Sequence, residues 1–284
     1  MRLQSFLSQA GISSRRSVIQ ELEDGKVKVN GEVVRIPSYP IFPGKDHVTY
    51  LDQEVSLSAK KNLYFIFNKP RGVITTAQDT HNRKTVLDCF KEIKARLYPV
   101  GRLDQDTTGL LLLTNDGDLA HKLIHPSYGI EKVYEVVIDK EISKEEIKRL
   151  EQGIVIEEVK TAPCKIKMLS VRDGKSKVEI ILHEGRKRQI RNMFQAIGMK
   201  VLHLHRKRYG PLNLKGLTPG KSRLLTSEEL NMLLKVVSEK PTRGGNRGRE
   251  NRFSVTSRNE PPHDAAARQH RGHGLRRRDS FHRG

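Results

Sequence analysis

The chain has 284 residues, and its 53 Lys and Arg against 33 Asp and Glu give a net charge of +20. This charge favours a polyanionic partner, which is either a nucleic acid or an anionic membrane surface. No stretch approaches the roughly 20 consecutive apolar residues that span a bilayer, and the segment MRLQSFLSQAG lacks the apolar core of a signal peptide. We therefore expect a nucleic-acid partner and no membrane partner.

The two cysteines, Cys89 and Cys164, do not have the spacing of metal ligands and do not suggest a disulfide scaffold. A reduced, cytoplasmic setting is therefore the expectation. The sequence contains no phosphate-binding Gly-rich loop, no HExxH and no paired CxxC motif. It gives no support for ATP chemistry or zinc chemistry.

Residues 1–48 have the pattern of a small unit with two helices and a hairpin. Apolar residues at helical spacing predict two helices, which end at Gly11 and Gly25. The string VKVNGEVV alternates like a strand, and its Asn-Gly step suits a type I′ turn. Arg15 and Arg16 lie in the first turn of the second helix, where they can contact phosphates.

The pattern RLQSFLSQAGISSRRS, followed by GKVKVNGEVV, resembles the alpha-L motif. This motif is a small RNA-binding module of ribosomal proteins and RNA-modifying enzymes. The resemblance runs almost the length of the module and implies that residues 1–48 bind RNA. We interpret residues 49–60 as a linker to the next domain.

Residues 61–238 contain both strand patterns and helix patterns. Strands are predicted in YFIFNKP, VYEVVID, KVEIILHE and KVLHLHRKRYG, which are rich in β-branched and aromatic residues. Helices are predicted in GDLAHKLIH, SKEEIKRLEQG, RKRQIRNMFQAIG and TSEELNMLLKVV. Because the two kinds do not alternate regularly, we expect an α+β fold. Its sheet should be mixed but mainly antiparallel, with flanking helices, and not doubly wound.

Residues 239–284 differ in composition from the rest of the chain. They contain twelve basic and five acidic residues and too few apolar residues to bury a core. Segments such as RGGNRGRENR and RGHGLRRRDS are typical of a disordered basic tail. The remaining chain keeps a positive net charge without this tail, so the argument for a polyanionic partner does not depend on it.

The segment GRLDQDTTGLLLLTNDGD, residues 101–118, has the most informative functional pattern. An apolar strand, LLLLT, is flanked by two polar turns, and the first turn contains Arg102 and Asp104. Asp and Thr are common turn formers, and an Asp beside an Arg can be a simple surface ion pair. Composition alone therefore does not establish a catalytic carboxylate here.

The string GRLDQDTTGLLLLTNDG resembles the signature of the pseudouridine synthases that act on ribosomal RNA. Other motifs of this family occur in the family's order: FNKPRGVITT before the signature, then EKVYEVVI and EGRKRQIRNMFQAIG after it. With the amino-terminal module, the resemblance covers roughly residues 1–235. Within the family, RKRYGPLNLKGLTPG and KTAPCKIKMLS are most similar to type B enzymes of the large ribosomal subunit. Small-subunit type A and the sister types E and F are alternatives.

The resemblance implies roles for individual residues in an isomerisation that breaks the N1–C1′ bond of uridine and rejoins the base through C5. Asp104 would be the nucleophile, toward C1′ or C6, and Arg191 the cation that keeps it ionised. Tyr134 would pack against the extruded uracil and help to remove the C5 proton. Arg102 would fill the space of the flipped nucleotide or hold its phosphate. The product is an isomer, so we expect no cofactor and no metal.

A basic segment supports an RNA partner independently of the resemblance. Between His183 and Leu224 the only acidic residue is Glu184, whereas a solvated charged face usually mixes signs. We expect ribosomal RNA as the partner, in the form of a large-subunit precursor, and a monomeric protein. The residues predicted to bind RNA are Arg15, Arg16, Lys69, Arg71, Arg102, Lys187, Arg188, Arg206 and Arg208.

Two other functions compete with an RNA-modifying isomerase. A non-catalytic assembly factor would have the same modules, but RNA binding alone does not require a carboxylate in a basic cleft. The joint presence of Asp104, Tyr134 and Arg191 argues against it. A DNA-binding regulator would need a recognition helix with dimer spacing, and none is recognisable. RNA is also the better partner because its unpaired loop bases can be splayed out and stacked.

Overall fold

The computed structural model describes residues 1–14, 16–57, 61–76, 79, 81 and 83–239. Arg15, which we predicted to bind RNA, lies outside the described residues, and so does the predicted basic tail from residue 240 onward. In the described ranges, none of the helices combines the length and apolar character that a membrane span needs.

The helices and strands follow the predicted order along the chain. The helices are α1 Leu3–Ala10, α2 Ser17–Glu23, α3 Gly117–Ile124, α4 Lys144–Glu151, α5 Gln189–Gln195 and α6 Ser227–Ser238. The first strands are β1 Val27–Val29, β2 Glu32–Val33, β3 Val48–Tyr50 and β4 Gln53–Glu54. The others are β5 Tyr64–Lys69, β6 Tyr98–Val100, β7 Thr108–Thr114, β8 Lys132–Ile138, β9 Val155–Ile156, β10 Val159–Lys160, β11 Lys165–Arg172, β12 Lys175–Leu182, β13 Val201–Tyr209, β14 Leu212–Asn213 and β15 Ser222–Leu224.

The amino-terminal module packs α1 and α2 against a sheet with the strand order β2-β1-β3-β4. Asn30 has a φ of 52° and Gly31 a φ of 89°, so both adopt the left-handed conformation of a type I′ turn, as predicted. Residues 49–55, which we assigned to a linker, differ from that prediction. They form β3 and β4, and Val55 is buried in the apolar core of the module. The reason is that β3 supplies the second pairing partner of β1.

The second domain is built on a sheet that has nine strands among the described residues. Its order is β11-β12-β8-β13-β7-β5-β15, with β14 beside β13 and β6 beside β7. All pairs are antiparallel except β13 with β7, which is parallel. The predicted α+β fold with a mainly antiparallel mixed sheet is therefore confirmed.

The strand β7 lies in the interior of this sheet and has apolar neighbours on both faces. Leu110 and Leu112 pack in one core with residues of α3 and α6, whereas Leu111 and Leu113 pack in the other with residues of α4 and α5. A strand covered on both faces has a continuous apolar run in place of an alternating pattern. This explains why four consecutive leucines follow the polar turn.

The parallel strands β7 and β13 approach each other unusually closely at Gly109. This residue has a φ of +108°, and a Cβ placed on it would lie 2.3 Å from the Arg206 carbonyl oxygen and 2.6 Å from the Arg206 nitrogen. Both contacts are to backbone atoms, which cannot swing aside. Gly109 therefore meets two requirements that only glycine satisfies, namely the backbone angle and the space.

We expect Gly109→Ala to lower the free energy of unfolding by more than about 3 kcal/mol, because backbone strain and the strand clash add together. Gly174→Ala is the matched control. Gly174 also has a positive φ, of +68°, but a Cβ there would meet nothing within 4 Å. It should cost only about 1–2 kcal/mol. Urea unfolding followed by circular dichroism measures both, and equal losses would contradict the close-approach explanation.

Candidate active site

A cleft of about 670 Å³ lies at the turn between β6 and β7. Asp104 and Asp106 line it and are the carboxylates of the turn. The cleft is also lined by residues 71, 72 and 74–76, which follow β5, and by residues 79, 81 and 83. Four arginines complete the lining, namely Arg71, Arg83, Arg102 and Arg188. With Asp79, the cleft has three carboxylates among several guanidinium groups, so it can bind a polyanion and hold a charged nucleophile at the same time.

The two carboxylates contact two cations from the start of α5. Arg188 Nη1 lies 3.9 Å from Asp104 Oδ2 and 3.8 Å from Asp106 Oδ1. Arg191 Nη2 lies 2.9 Å from Asp106 Oδ2. The arrangement differs from our expectation that Arg191 is the counter-ion of Asp104. In the described structure, Arg191 is paired with Asp106, and Arg188 is shared by both carboxylates.

Arg191 and Arg188 are held in different ways. The Arg191 side chain is only 11% exposed, and its Nη1 donates a hydrogen bond to the Val201 carbonyl at 3.0 Å. Burial lowers the pKa of this guanidinium, and the charge of Asp106 acts in the opposite direction. The Arg188 side chain is 46% exposed, and its backbone has a left-handed φ of 50°. Such strain in a non-glycine residue is frequent at functional sites.

Lys69 supports the Asp104 turn from inside the protein. Its Nζ donates hydrogen bonds to the carbonyl oxygens of Thr107 at 2.8 Å, Pro70 at 3.1 Å and Gln105 at 3.4 Å. The residue is 0% exposed, and burial lowers the pKa of its ammonium to about 8. Our prediction that Lys69 contacts RNA is therefore wrong. Lys69 ends β5 beside the turn, and its ammonium is enclosed by these backbone carbonyls and not exposed to solvent.

Arg206 is also buried, with 2% of its surface exposed, so our prediction of a phosphate contact is wrong for this residue too. Its Nε donates to the Leu110 carbonyl at 2.7 Å, and its Nη1 donates to the Tyr134 hydroxyl at 3.4 Å. The reason is the strand position: Arg206 shares the inward face of β13 with Leu204. Arg208, by contrast, is half exposed and pairs with Glu131.

Tyr134 lies in β8 and is 9% exposed. It does not line the cleft itself. Arg206 is its register partner on β13, and Arg206 is also the partner of Gly109 on β7. Since neighbouring strands are about 4.8 Å apart, Tyr134 lies roughly two strand spacings from the strand that the Asp104 turn enters. The sheet therefore brings Tyr134 and Asp104 into the same region by strand pairing.

The remaining predicted RNA contacts are on the surface. Arg71 and Arg102 are exposed and line the cleft, and Lys187 is exposed in the loop before α5. Arg16 is exposed at the start of α2 in the amino-terminal module. These four residues are accessible to a ligand, as a phosphate contact requires.

Two features of the site were missed in the sequence. Asp106 pairs with Arg191, although it stands in the quoted turn LDQDTT, where a second carboxylate two residues after the first could have indicated it. Asp79 pairs with Arg83 at 2.6 Å in the lining of the cleft, and hydrogen bonds from Arg83 hold the pKa of the Asp79 carboxyl well below its usual range. No pattern in the sequence indicates this second pair.

Comparison with known proteins agrees with these observations. The RNA pseudouridylate synthase family matches residues 63–196, and the S4 domain family matches residues 1–46. The chain is 47% identical over 234 residues to ribosomal large subunit pseudouridine synthase B of Bacillus subtilis, a match that covers 82% of this chain and 95% of that protein. It is 39% identical to an uncharacterized RNA pseudouridine synthase of Aquifex aeolicus, over 84% of this chain and 96% of the relative.

A solved structure described as a pseudouridylate synthase has the same fold. It shares 31% sequence identity and a TM-score of 0.59 with this chain, and the match covers 82% of this chain and 99% of the other. The matched families together span most of the module and the part of the sheet domain up to residue 196, which includes the residues that line the cleft. The chain therefore belongs to the RNA pseudouridine synthase family, whose members are isomerases, and it has an amino-terminal RNA-binding S4 domain.

Proposed function

We propose that this isomerase modifies a specific uridine of large-subunit ribosomal RNA, that it extrudes the uridine from the RNA, and that Asp104 is the nucleophile. The substrate class is supported by the 47% identity to a Bacillus subtilis protein named as a large-subunit enzyme, which the match covers almost completely. The role of Asp104 is supported by one observation above the others. Its carboxylate stands in a cationic cleft on a turn that Lys69 holds from beneath.

The chemistry needs a nucleophile and a proton acceptor. Attack of the Asp104 carboxylate at C1′ breaks the N1–C1′ bond, and the bonding electrons leave with the uracil. The base then turns and rejoins through C5, which displaces the carboxylate. The alternative is addition of the carboxylate to C6, and the geometry is compatible with either. In both cases the surplus C5 proton must leave, and N1 must gain one.

Tyr134 is the candidate for removing the C5 proton. When the C5–H bond breaks, its electron pair forms the C5–C6 double bond. The π electrons of the N1–C6 double bond return to N1, which takes up a proton from water. The Tyr134 oxygen receives the C5 proton and passes its own proton to water. The aromatic ring offers a flat face to the extruded uracil. No atom is gained or lost in these steps, so they require no cofactor and no metal.

The cations of the cleft have two different tasks in this proposal. Arg191 is almost buried and pairs with Asp106, so it offsets the charge that Asp106 adds beside Asp104. Arg71 and Arg102 are exposed, so they can bind phosphates of the RNA or fill the space that the flipped nucleotide leaves. Arg188 contacts both carboxylates at almost 4 Å and is half exposed, so it can take part in either task.

We expect Asp104→Asn to reduce the single-turnover rate at saturating RNA by at least about a thousandfold, because an amide is a very weak nucleophile. Asp106→Asn is the matched control. It removes a carboxylate from the same turn and should cost only about tenfold, through the loss of the Arg191 ion pair. The assay is tritium release from C5-labelled uridine in a large-subunit RNA fragment. A rate for Asp104→Asn within about threefold of wild type would show that Asp104 is not the nucleophile.

The same assay separates the two ribosomal substrates. A fragment of large-subunit RNA should release tritium, and a small-subunit fragment of equal length should not. Equal or faster release from the small-subunit fragment would contradict the proposed substrate while leaving the activity itself intact.

The burial of Lys69 predicts a pH dependence of stability. The folded pKa of about 8 lies below the ordinary value of 10.5. Between these values the unfolded chain holds a proton that the folded protein lacks, so this group makes the free energy of unfolding rise with pH. Below pH 8 the cost of burying the charge is fully present. The free energy of unfolding of wild type, relative to that of Lys69→Met, should therefore increase from pH 8 to pH 10.

Urea unfolding at pH 7, 8, 9 and 10 measures this difference. Lys175→Met is the control, since Lys175 is an exposed lysine at the start of β12. It should reproduce the wild-type pH dependence. If the difference in unfolding free energy between wild type and Lys69→Met does not change over this pH range, burial does not lower the pKa of the Lys69 ammonium.

The amino-terminal module should contribute affinity and not chemistry, because none of the residues proposed for chemistry lies in it. The module core extends to Val55, so a deletion should end after Leu57. We expect the deletion to raise the Kd for RNA strongly while the saturating single-turnover rate falls less than about threefold. In the full-length chain, Arg16→Glu should weaken binding and reduce the salt slope by about one. Unchanged affinity in both variants would remove the module from the RNA-binding surface.

A further inference from the structure

The side chain of Arg206 is a buried cation without a carboxylate partner among its hydrogen-bond acceptors. It is 2% exposed, and its acceptors are the Leu110 carbonyl and the Tyr134 hydroxyl. Within the described part of the chain, its third nitrogen, Nη2, has no hydrogen-bond partner. A buried guanidinium with an unsatisfied nitrogen is costly, and an apolar side chain of similar volume would fill the same space at lower cost. The sequence keeps the charge, so a purely structural purpose is a poor explanation.

Two aromatic rings offset part of this cost. The Arg206 guanidinium carbon lies 5.1 Å from the centre of the Tyr209 ring and 5.9 Å from the centre of the Tyr134 ring. Both distances are within the range of a cation–π contact. The two tyrosines differ in their hydroxyl groups, since Tyr209 donates to the Leu123 carbonyl and Tyr134 accepts from Arg206. Only Tyr134 therefore has its hydroxyl oriented by Arg206.

The place of Arg206 in the sheet connects it to the site. Arg206 is the register partner of Tyr134 on β8 and of Gly109 on β7. Gly109 lies five residues after Asp104 in the chain. A Cβ placed on Gly109 would collide with the backbone of Arg206. Arg206 thus touches the strand that follows the proposed nucleophile and the hydroxyl of the proposed proton acceptor.

We propose that Arg206 is a positioning residue for the isomerisation, which acts by holding the Tyr134 hydroxyl in the orientation needed for removal of the C5 proton. The inference rests on the proposed role of Tyr134. A guanidinium is a donor only, so its hydrogen bond occupies one lone pair of the Tyr134 oxygen. The hydroxyl proton and the other lone pair must then point away from Arg206. The phenol is left with one acceptor position for the C5 proton and one donor position for releasing its own.

The test compares C5-protonated and C5-deuterated uridine in the same RNA fragment, in single turnovers at saturating RNA. Arg206→Gln removes the charge and the bond to Tyr134. We expect its rate to fall about tenfold to a hundredfold, with RNA affinity within about twofold of wild type. We also expect no additional loss when Arg206→Gln is combined with Tyr134→Phe, because the two act on one step. The isotope effect of Arg206→Gln should be at least as large as that of wild type and equal to that of Tyr134→Phe.

Tyr209→Phe is the control, because it removes a hydroxyl from the other ring beside the guanidinium. It should leave the rate and the isotope effect of wild type unchanged. If Arg206→Gln does not fold by circular dichroism, Arg206→Lys takes its place, since lysine keeps the charge while losing the forked geometry. Arg206→Lys should show a smaller loss with the same absence of additivity.

Two results would overturn the inference, and they are distinguishable. If Tyr134→Phe has the rate of wild type, the role of Tyr134 fails and the inference fails with it. If Tyr134→Phe is slow and adding Arg206→Gln lowers its rate further by the same factor as in wild type, the role of Tyr134 stands. The same holds if Arg206→Gln lowers only the amplitude of active enzyme and not the rate. In that case Arg206 only stabilises the fold.

Discussion

The parallel pairing of β7 with β13 at Gly109 is the contact on which the rest of the site depends. Across the sheet, Lys69, Gly109, Arg206 and Tyr134 are successive register partners on β5, β7, β13 and β8. The missing side chain of Gly109 lets two strands meet closely between two buried cations. One cation supports the carbonyls of the Asp104 turn, and the other reaches the Tyr134 hydroxyl. In our proposal, the spacing between the Asp104 turn and Tyr134 is therefore set by strand pairing.

These two cations also show that the exposure of a charged side chain is difficult to predict from sequence. Lys69 and Arg206 were predicted as phosphate contacts. The sequence gives the sign of a charge but does not show whether the side chain points to solvent or into the protein. For Arg206 a signal was present: in HLHRKRY, alternate residues face the same side, and Leu204 places Arg206 on the inward face. For Lys69 there was none, because two of its three acceptors are backbone carbonyls of a turn 36 and 38 residues away. Such partners become visible only when the chain is folded.

The elements themselves were predictable because their determinants are local. The Asn30-Gly31 hairpin follows from two residues that tolerate positive φ, and the α+β class follows from the irregular order of strand and helix patterns. What depends on distant pairing was not predictable. Residues 49–55 were assigned to a linker because nothing nearby shows that β1 needs β3. For the same reason, the partner of Arg191 was expected to be Asp104, although the contact is with Asp106.

The distribution of charge in space gives the excess of basic residues a more specific meaning. In sequence, residues 183–224 contain one acid, yet in the fold Lys207 pairs with Glu179 at 3.0 Å and Arg223 with Glu229 at 2.7 Å, both from other elements. These cations are partly neutralised before any RNA arrives, so they add less to phosphate binding than their number suggests. Arg188 of the cleft differs, since its protein partners are the two carboxylates of the Asp104 turn. An RNA phosphate bound by Arg188 would compete directly with the contacts of this side chain to Asp104 and Asp106. In the proposed mechanism, substrate binding and the electrostatic environment of Asp104 are therefore coupled through one exposed side chain, whereas the buried Arg191 keeps its contact to Asp106.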